Sequence, residues 1–173
     1  MSGLQQELKQ NRPFATPSEE ATVSLILTAD LVRRSVAAVV EPHGMTAQQS
    51  RVLHILREAG PGGLPTLKVA EQMIEQAPGI TRLIDRLERK GLVIRERCAS
   101  DRRQVFCRIT DAGLDLLHRL DTPIEDVHSG ALGALSEAQC SRLQALLDIA
   151  CTGLHAAIAT RRGPSSPTAQ EAP

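Results

Sequence analysis

Residues 77–110 read APGITRLIDRLERKGLVIRERCASDRRQVFCRIT. Ile80, Leu83, Ile84 and Leu87 recur at the three-and-four spacing of one helix face. Pro78 suits a first helical position and Gly91 a stop. Gly79, Thr81, Arg82, Asp85, Arg86 and Arg89 then occupy the open face. Two short strands are expected next, over residues 92–97 and 104–109, the second alternating through Val105, Cys107 and Ile109. A loop of four to six residues joins them, with Asp101, Arg102 and Arg103 near its tip. A basic helix tied to a basic hairpin suits a DNA duplex: the helix fits a major groove and the hairpin tip reaches a neighbouring minor groove.

Charge supports that reading. From Arg82 to Arg108 there are nine basic and four acidic residues, a local excess of five, whereas the whole 173-residue chain has 20 of each and a formal net charge of zero. Such a patch on a neutral protein argues for one dedicated polyanion face and against a general nucleic-acid coat. Apolar residues make up 42%, but there are two Phe and no Trp or Tyr, so Leu, Ile, Val and Ala must fill the core. Aliphatic cores suit helix-on-helix packing.

Working outward, residues 1–15 read as a polar arm. Residues 16–45 read as a first helix: Thr16 caps, Pro17 opens, Val23, Ile26, Leu27 and Leu31 repeat, and Pro42 and Gly44 end it near Glu41. Thr46 and Gln49 form a capping box for a second helix with Val52, Leu53 and Leu56 buried, ended by residues 60–63. Thr66 is expected to cap a short third helix with Leu67, Ala70, Met73 and Ile74 inward. Thr110 and Asp111 cap a fifth helix, which Pro123 is expected to bend or break. Ser136 opens a sixth through Leu143, Leu146, Leu147, Leu154 and Ile158, closed by Arg161, Arg162 and Gly163. Residues 163–173 are low in apolar content and read as a disordered tail.

The expected fold is mainly α with a small β-hairpin wing: a winged helix-turn-helix over 46–110, flanked by helical dimerisation regions over 16–45 and 111–162. The module needs neither terminal helix, so their apolar stripes require burial elsewhere, at ~25 cal/mol per Å². A twofold dimer supplies it and sets two reader helices one DNA turn apart, ~34 Å. Gly79 lets the reader backbone approach DNA. Thr81 and Arg82 fall at its first exposed turn, where Arg suits a guanine edge. Arg86 and Arg89 lie further along and suit phosphate. Arg102 and Arg103 suit a narrow minor groove, and Asp101 a structural role in the wing.

The segment ITRLIDRLERKGLVIRERCASDRRQVFCRITDAG resembles the core of the MarR family of bacterial transcription regulators. The likeness includes the helix ending Arg-Leu-Glu-Arg-Lys-Gly-Leu-Val and the wing pattern of Asp101, Arg103 and Thr110, and it extends over roughly residues 18–160. It implies an obligate homodimer, a pseudo-palindromic DNA site, and release by a small molecule or by oxidation. It places the family's wing arginine at Arg103 and its structural aspartate at Asp101.

Several side chains remain candidates for sensing. His43, Arg51 and His54 could line a cleft for an anionic effector. Cys98 sits among Arg95, Arg97, Arg102 and Arg103, which favours its thiolate, so a redox-sensing regulator is an alternative. A winged-helix protein-interaction adaptor that does not bind DNA is another. Cys107, Cys140 and Cys151 read as small apolar packing residues. Cys151 with His155, and Asp121 with Glu125 and His128, have ligand-like spacing but do not close a metal site. Arg82, Arg86 and Arg89 also fit a solvated helix face paired with Asp85 and Glu88. No GxSxG, phosphate loop or HExxH is present, so neither an enzyme nor a bound cofactor is expected. Residues 1–13 hold no apolar run, no bilayer-spanning segment is expected, and the four cysteines form no CxxC pair, which points to the cytoplasm.

Overall fold

The computed structural model describes residues 14–74, 79–97 and 104–162, so Pro78, Cys98, Asp101, Arg102 and Arg103 lie outside the described residues. The elements are α1 (Pro17–Val40), α2 (Ala47–Glu58), β1 (Leu64–Pro65), α3 (Thr66–Glu71), α4 (Ile80–Arg89), β2 (Val93–Arg97), β3 (Val105–Ile109), α5 (Asp111–Leu132) and α6 (Glu137–Arg162). They fall into two compact units, Met1–Ser129 and Gly130–Pro173. The mainly helical winged architecture agrees with the expected class.

The caps form as their chemistry dictates. Glu19 N donates to Thr16 Oγ1 at the start of α1. At α2, Gln49 N donates to Thr46 Oγ1 and Thr46 N donates to Gln49 Oε1, which satisfies two end groups reciprocally. Ser136 and Gln139 make the same exchange at α6. Thr66 is different: α3 has Pro65 at its N-cap with no side-chain cap, and the Thr66 hydroxyl donates to the Val105 carbonyl of β3 instead. A short strand explains the change. β1 pairs antiparallel with β3, giving a three-stranded sheet in the order β1-β3-β2. Residues 64–65 are too short for an alternating pattern, so the sequence shows no strand there.

Helix α2 is the centre of the first unit. Val52, Leu53, Ile55 and Leu56 are fully buried, joined by Val69 of α3, Ile84 and Leu87 of α4, Val93 and Cys107 of the sheet, and Leu117 and Leu120 of α5. Truncating a leucine such as Leu53 to Ala in a core this closed costs about 2–5 kcal/mol. Cys107 is packed, as its alternation implies. Leu67 and Ile74, expected inward, are instead 70% and 88% exposed. Helix α3 is only six residues long, so its stripe has one turn in which to face the core.

Pro123 does not break α5, which is helical from Asp111 to Leu132. Thr110 explains its firm start. Its hydroxyl accepts from Gly113 N at 3.1 Å and donates to the Gly91 carbonyl at 2.7 Å, while its amide donates to Leu92 O. One residue thus caps α5 and holds the base of the wing to the end of α4. Gly113 is needed beside it, since a Cβ there would lie 2.5 Å from Leu92 O.

The second unit is dominated by α6. Leu146, Ile149, Leu154 and Ile158 are 49–70% exposed on the single chain. Cys140 is half-buried and Cys151 exposed, so neither is the buried packing residue expected from the stripe alone. Glu137–Arg161 is long and apolar enough to cross a bilayer by length and composition alone, whereas no segment of that kind is expected from the sequence reading. Two elements at the sheet corner offer a test. Gly60 and Gly63 both hold positive φ, 70° and 64°, but a Cβ on Gly60 meets nothing within 4 Å, whereas one on Gly63 would sit 2.4 Å from Cys107 O. Gly60→Ala should cost about 1–2 kcal/mol. Gly63→Ala should cost roughly 3 kcal/mol or more, through strain and clash together. Urea unfolding of both variants measures the difference, and equal midpoints would refute the close approach.

Candidate nucleic-acid interface

The face of α4 is organised by a residue from outside it. Arg95 of β2 reaches back across the helix. Its Nη1 lies 2.7 Å from Asp85 Oδ1 and its Nε donates to Glu88 Oε2 at 3.0 Å. The Arg95 guanidinium holds the Glu88 carboxyl below its ordinary range, and Glu88 in turn raises Arg95. Both acids of α4 are therefore engaged on the wing side.

Thr81, Arg82, Arg86 and Arg89 are exposed. Among the described residues, neither Arg82 nor Arg86 has an ion-pair partner, and Arg89 Nε donates only to the Asp85 carbonyl. The alternative of a helix face paired within itself is not what forms, because Asp85 and Glu88 pair with β2. Gly79 precedes the first turn of α4 and has open space where a Cβ would be. Lys90, just beyond the helix, donates through Nζ to the Gly44 carbonyl and ties α4 to the turn after α1.

The wing leaves the same corner. Val93 pairs with Ile109 and Arg97 with Val105, and residues 98–103, the connection between the two strands in sequence, lie outside the described residues. Arg108 and Glu96 pair at 3.3 Å along the sheet. Asp101, Arg102, Arg103 and Cys98 all fall in or beside this connection and outside the described residues.

A second feature lies elsewhere in the first unit. A cavity of about 370 Å³ is bounded by α1, α2, the end of α3 and α5, with Val36, Met73 and Ile124 among its apolar lining and Ser50, Arg51 and His54 on its α2 side. Of the three effector candidates it brings together Arg51 and His54. It does not include His43, which is exposed in the 3-10 turn Glu41–His43. Ser50 carries no signal in the sequence: an isolated serine in a helix reads as neutral filler, yet it is 2% exposed. Asp121, whose spacing resembled a ligand, is bound bidentately by Arg57 at 2.8 and 2.9 Å. Arg57 also donates through Nη2 to His54 Nδ1 at 3.1 Å. Burial, and then the Arg57 charge, hold His54 below its ordinary value. Cys151 and His155 stand 3.9 Å apart on α6.

A buried core helix, a partly free basic helix and a three-stranded wing define a winged helix-turn-helix protein. Residues 45–105 match the sequence profile of the MarR family. A MarR transcription factor from Planctomyces limnophilus is 36% identical in sequence, with a TM-score of 0.61 over 79% of this chain and 99% of that one. The homoprotocatechuate degradative operon repressor of Escherichia coli is 25% identical over 75% of this chain and 86% of its own length. The S. aureus MepR–DNA complex shares the fold, with a TM-score of 0.71 at 20% identity over 76% of this chain and 96% of that one. The chain belongs to the MarR family of transcription regulators.

The Arg57–Asp121 bridge gives a pH prediction. Arg57 lowers the Asp121 carboxyl, chiefly by hydrogen bonding. A lowered acid stabilises the fold above its unfolded value, about 3.9. That contribution disappears as pH falls through the folded value. Both side chains are about one-third exposed, so solvent screening limits the effect to roughly 1 kcal/mol. Arg57→Gln should therefore be less stable than wild type at neutral pH, with the gap closing below about pH 4. Chemical unfolding across pH measures it, and a constant gap would contradict the bridge.

Proposed function

We propose that this protein is a homodimeric repressor that binds a pseudo-palindromic operator and releases it when a small molecule enters the cavity beside α2. The carrying observation is the division of charge on α4: Arg95 engages Asp85 and Glu88, leaving Arg82, Arg86 and Arg89 to face outward. Thr81 and Arg82, at the first turn, read base edges where Gly79 leaves room for close approach. Arg86 and Arg89 hold phosphates, and the wing carries Arg102 and Arg103 to a minor groove with Asp101 steadying the loop.

Dimerisation is supported by unburied apolar surface. Leu25, Ile26 and Leu31 on α1 and Ile149 and Leu154 on α6 are exposed on the single chain. A second copy covers such stripes, and this accounts for the apolar character of α6 without a membrane. The E. coli relative's name supports repression, and the DNA-bound S. aureus structure supports a duplex as partner. The cytoplasm is the compartment in which such a protein meets its operator.

The decisive experiment is binding to the intergenic DNA upstream of its own gene, followed by fluorescence anisotropy at several salt concentrations. Arg82→Ala should lose about 1–3 kcal/mol of discrimination between operator and random DNA. Arg89→Ala should weaken both equally and reduce the salt slope by about one. Arg95→Ala should weaken binding to all DNA, since it frees two carboxylates beside the phosphates. No salt-dependent binding by wild type would favour the adaptor. Ile149→Asp combined with Leu154→Asp should halve the mass seen by light scattering, and an unchanged mass would remove α6 from the interface.

A further inference from the structure

Lys90 follows the last turn of α4, yet it is spent far away in sequence. Its Nζ donates to the carbonyl of Gly44, in the turn between α1 and α2. It also lies 3.9 Å from Sδ of Met45, which is buried. Beside this contact is a concavity lined by Gly44, Thr46 and Gln49 on one side and by Arg86, Arg89 and Lys90 on the other. No Asp or Glu lines it. Three cations thus border one hollow, but Arg86 and Arg89 are turned to solvent while Lys90 is committed to a backbone oxygen.

The turn that receives Lys90 is the negative end of a helix. Helix α1 runs for 24 residues and passes into the 3-10 turn Glu41–His43, which Gly44 closes at φ 68°. Gly44 N donates to Glu41 O and Met45 N to Val40 O, a glycine stop that satisfies two end carbonyls. The last turn of α1 holds no basic residue of its own. A cation is favoured there, because the carbonyls of a helix end carry partial negative charge. Lys90 supplies that cation from α4, and it stands at the C-terminal end of α4 as well, where the same preference holds.

This contact bears on how the reader helix is aimed. Burial of Ile84 and Leu87 holds α4 against the core, but apolar contact is non-directional and does not by itself fix a tilt. Hydrogen bonds are directional. Arg95 fastens α4 to β2, and Lys90 fastens its C-terminal end to the end of α1. Helix α1 in turn has two parts. Leu25, Ile26 and Leu31 are exposed, whereas Val36, Val39 and Val40 pack into the core. If a second copy covers the first part, the angle between α1 and α4 sets the distance between the two readers.

We propose that Lys90 is a positioning residue that sets the half-site spacing the dimer reads, by holding the end of α4 to the end of α1, and that it takes no phosphate itself. This rests on the reading of the protein as a homodimer on a two-half-site operator.

Fluorescence anisotropy with the full chain tests it, using duplexes that carry the two half-sites footprinted upstream of its gene. The half-sites are set at the natural spacing and with one base pair added or removed. One base pair moves a half-site ~3.4 Å along the duplex and turns it by ~35°. Wild type should prefer the natural spacing by about tenfold or more. Lys90→Met keeps the stem and removes the donor. It should cut that preference to about threefold or less, with the salt slope unchanged. Lys90→Arg still reaches the carbonyl and should restore the preference. Arg86→Ala is the contrast: it should lower the salt slope by about one and keep the preference. Lys90 is exposed, so Lys90→Met should stay folded and dimeric by circular dichroism and light scattering. If it does not, Lys90→Gln, too short to reach Gly44, takes its place. A salt slope lowered by about one in Lys90→Met, or a spacing preference left as in wild type, overturns the proposal. In either case a wild type that still prefers one spacing leaves the homodimer reading standing. If wild type binds as a monomer or has no spacing preference, that reading falls and this inference with it.

Discussion

One guanidinium sets the geometry on which the proposed DNA-facing surface depends. Arg95 belongs to the wing, yet its partners Asp85 and Glu88 belong to α4. The contact does two things at once. It fixes the angle between helix and wing, and it withdraws the only acids of α4 from the open face. An exposed ion pair contributes little to stability on its own. Its value here is positional, because DNA recognition needs helix and hairpin held at matched spacing along the duplex. Thr110 reinforces the same corner from below, with hydrogen bonds to Gly91, Leu92 and Gly113.

Much of this was legible in the sequence, for physical reasons. Capping boxes at Thr46 and Ser136 are local chemistry, so they form where the residue spacing places them. The stripe of α4 and the alternation of β3 are periodic, and the core uses those faces. What escaped was tertiary. β1 exists only because β3 offers an edge to Leu64 and Pro65. Thr66 abandons its cap because that edge offers a carbonyl. The partner of Asp85 lies ten residues away on a strand, so helix spacing could not reveal it. Ser50 and the Arg57–Asp121 bridge were invisible for the same reason, and so was the exposed setting of His43 in its 3-10 turn.

The exposed stripe of α6 shows how far composition alone can mislead. The same length and apolarity fit a membrane span, a coiled pair or a helix covered by a second chain. The proposed dimer takes the last of these readings, and Arg142 and Asp148 within the helix agree with a face that stays in water.

Helix α2 carries two separate inheritances on one twelve-residue segment. Val52, Leu53, Ile55 and Leu56 answer to the core, while Ser50, Arg51 and His54 answer to the cavity. Helical spacing interleaves the two sets along the chain but sorts them onto different sides. The cavity positions therefore lie off the face that carries the buried leucines. Under the proposed effector reading, one chemical signal could be exchanged for another by changing a few polar residues on one side of α2, while the buried leucines on the other side go on holding α4 in place.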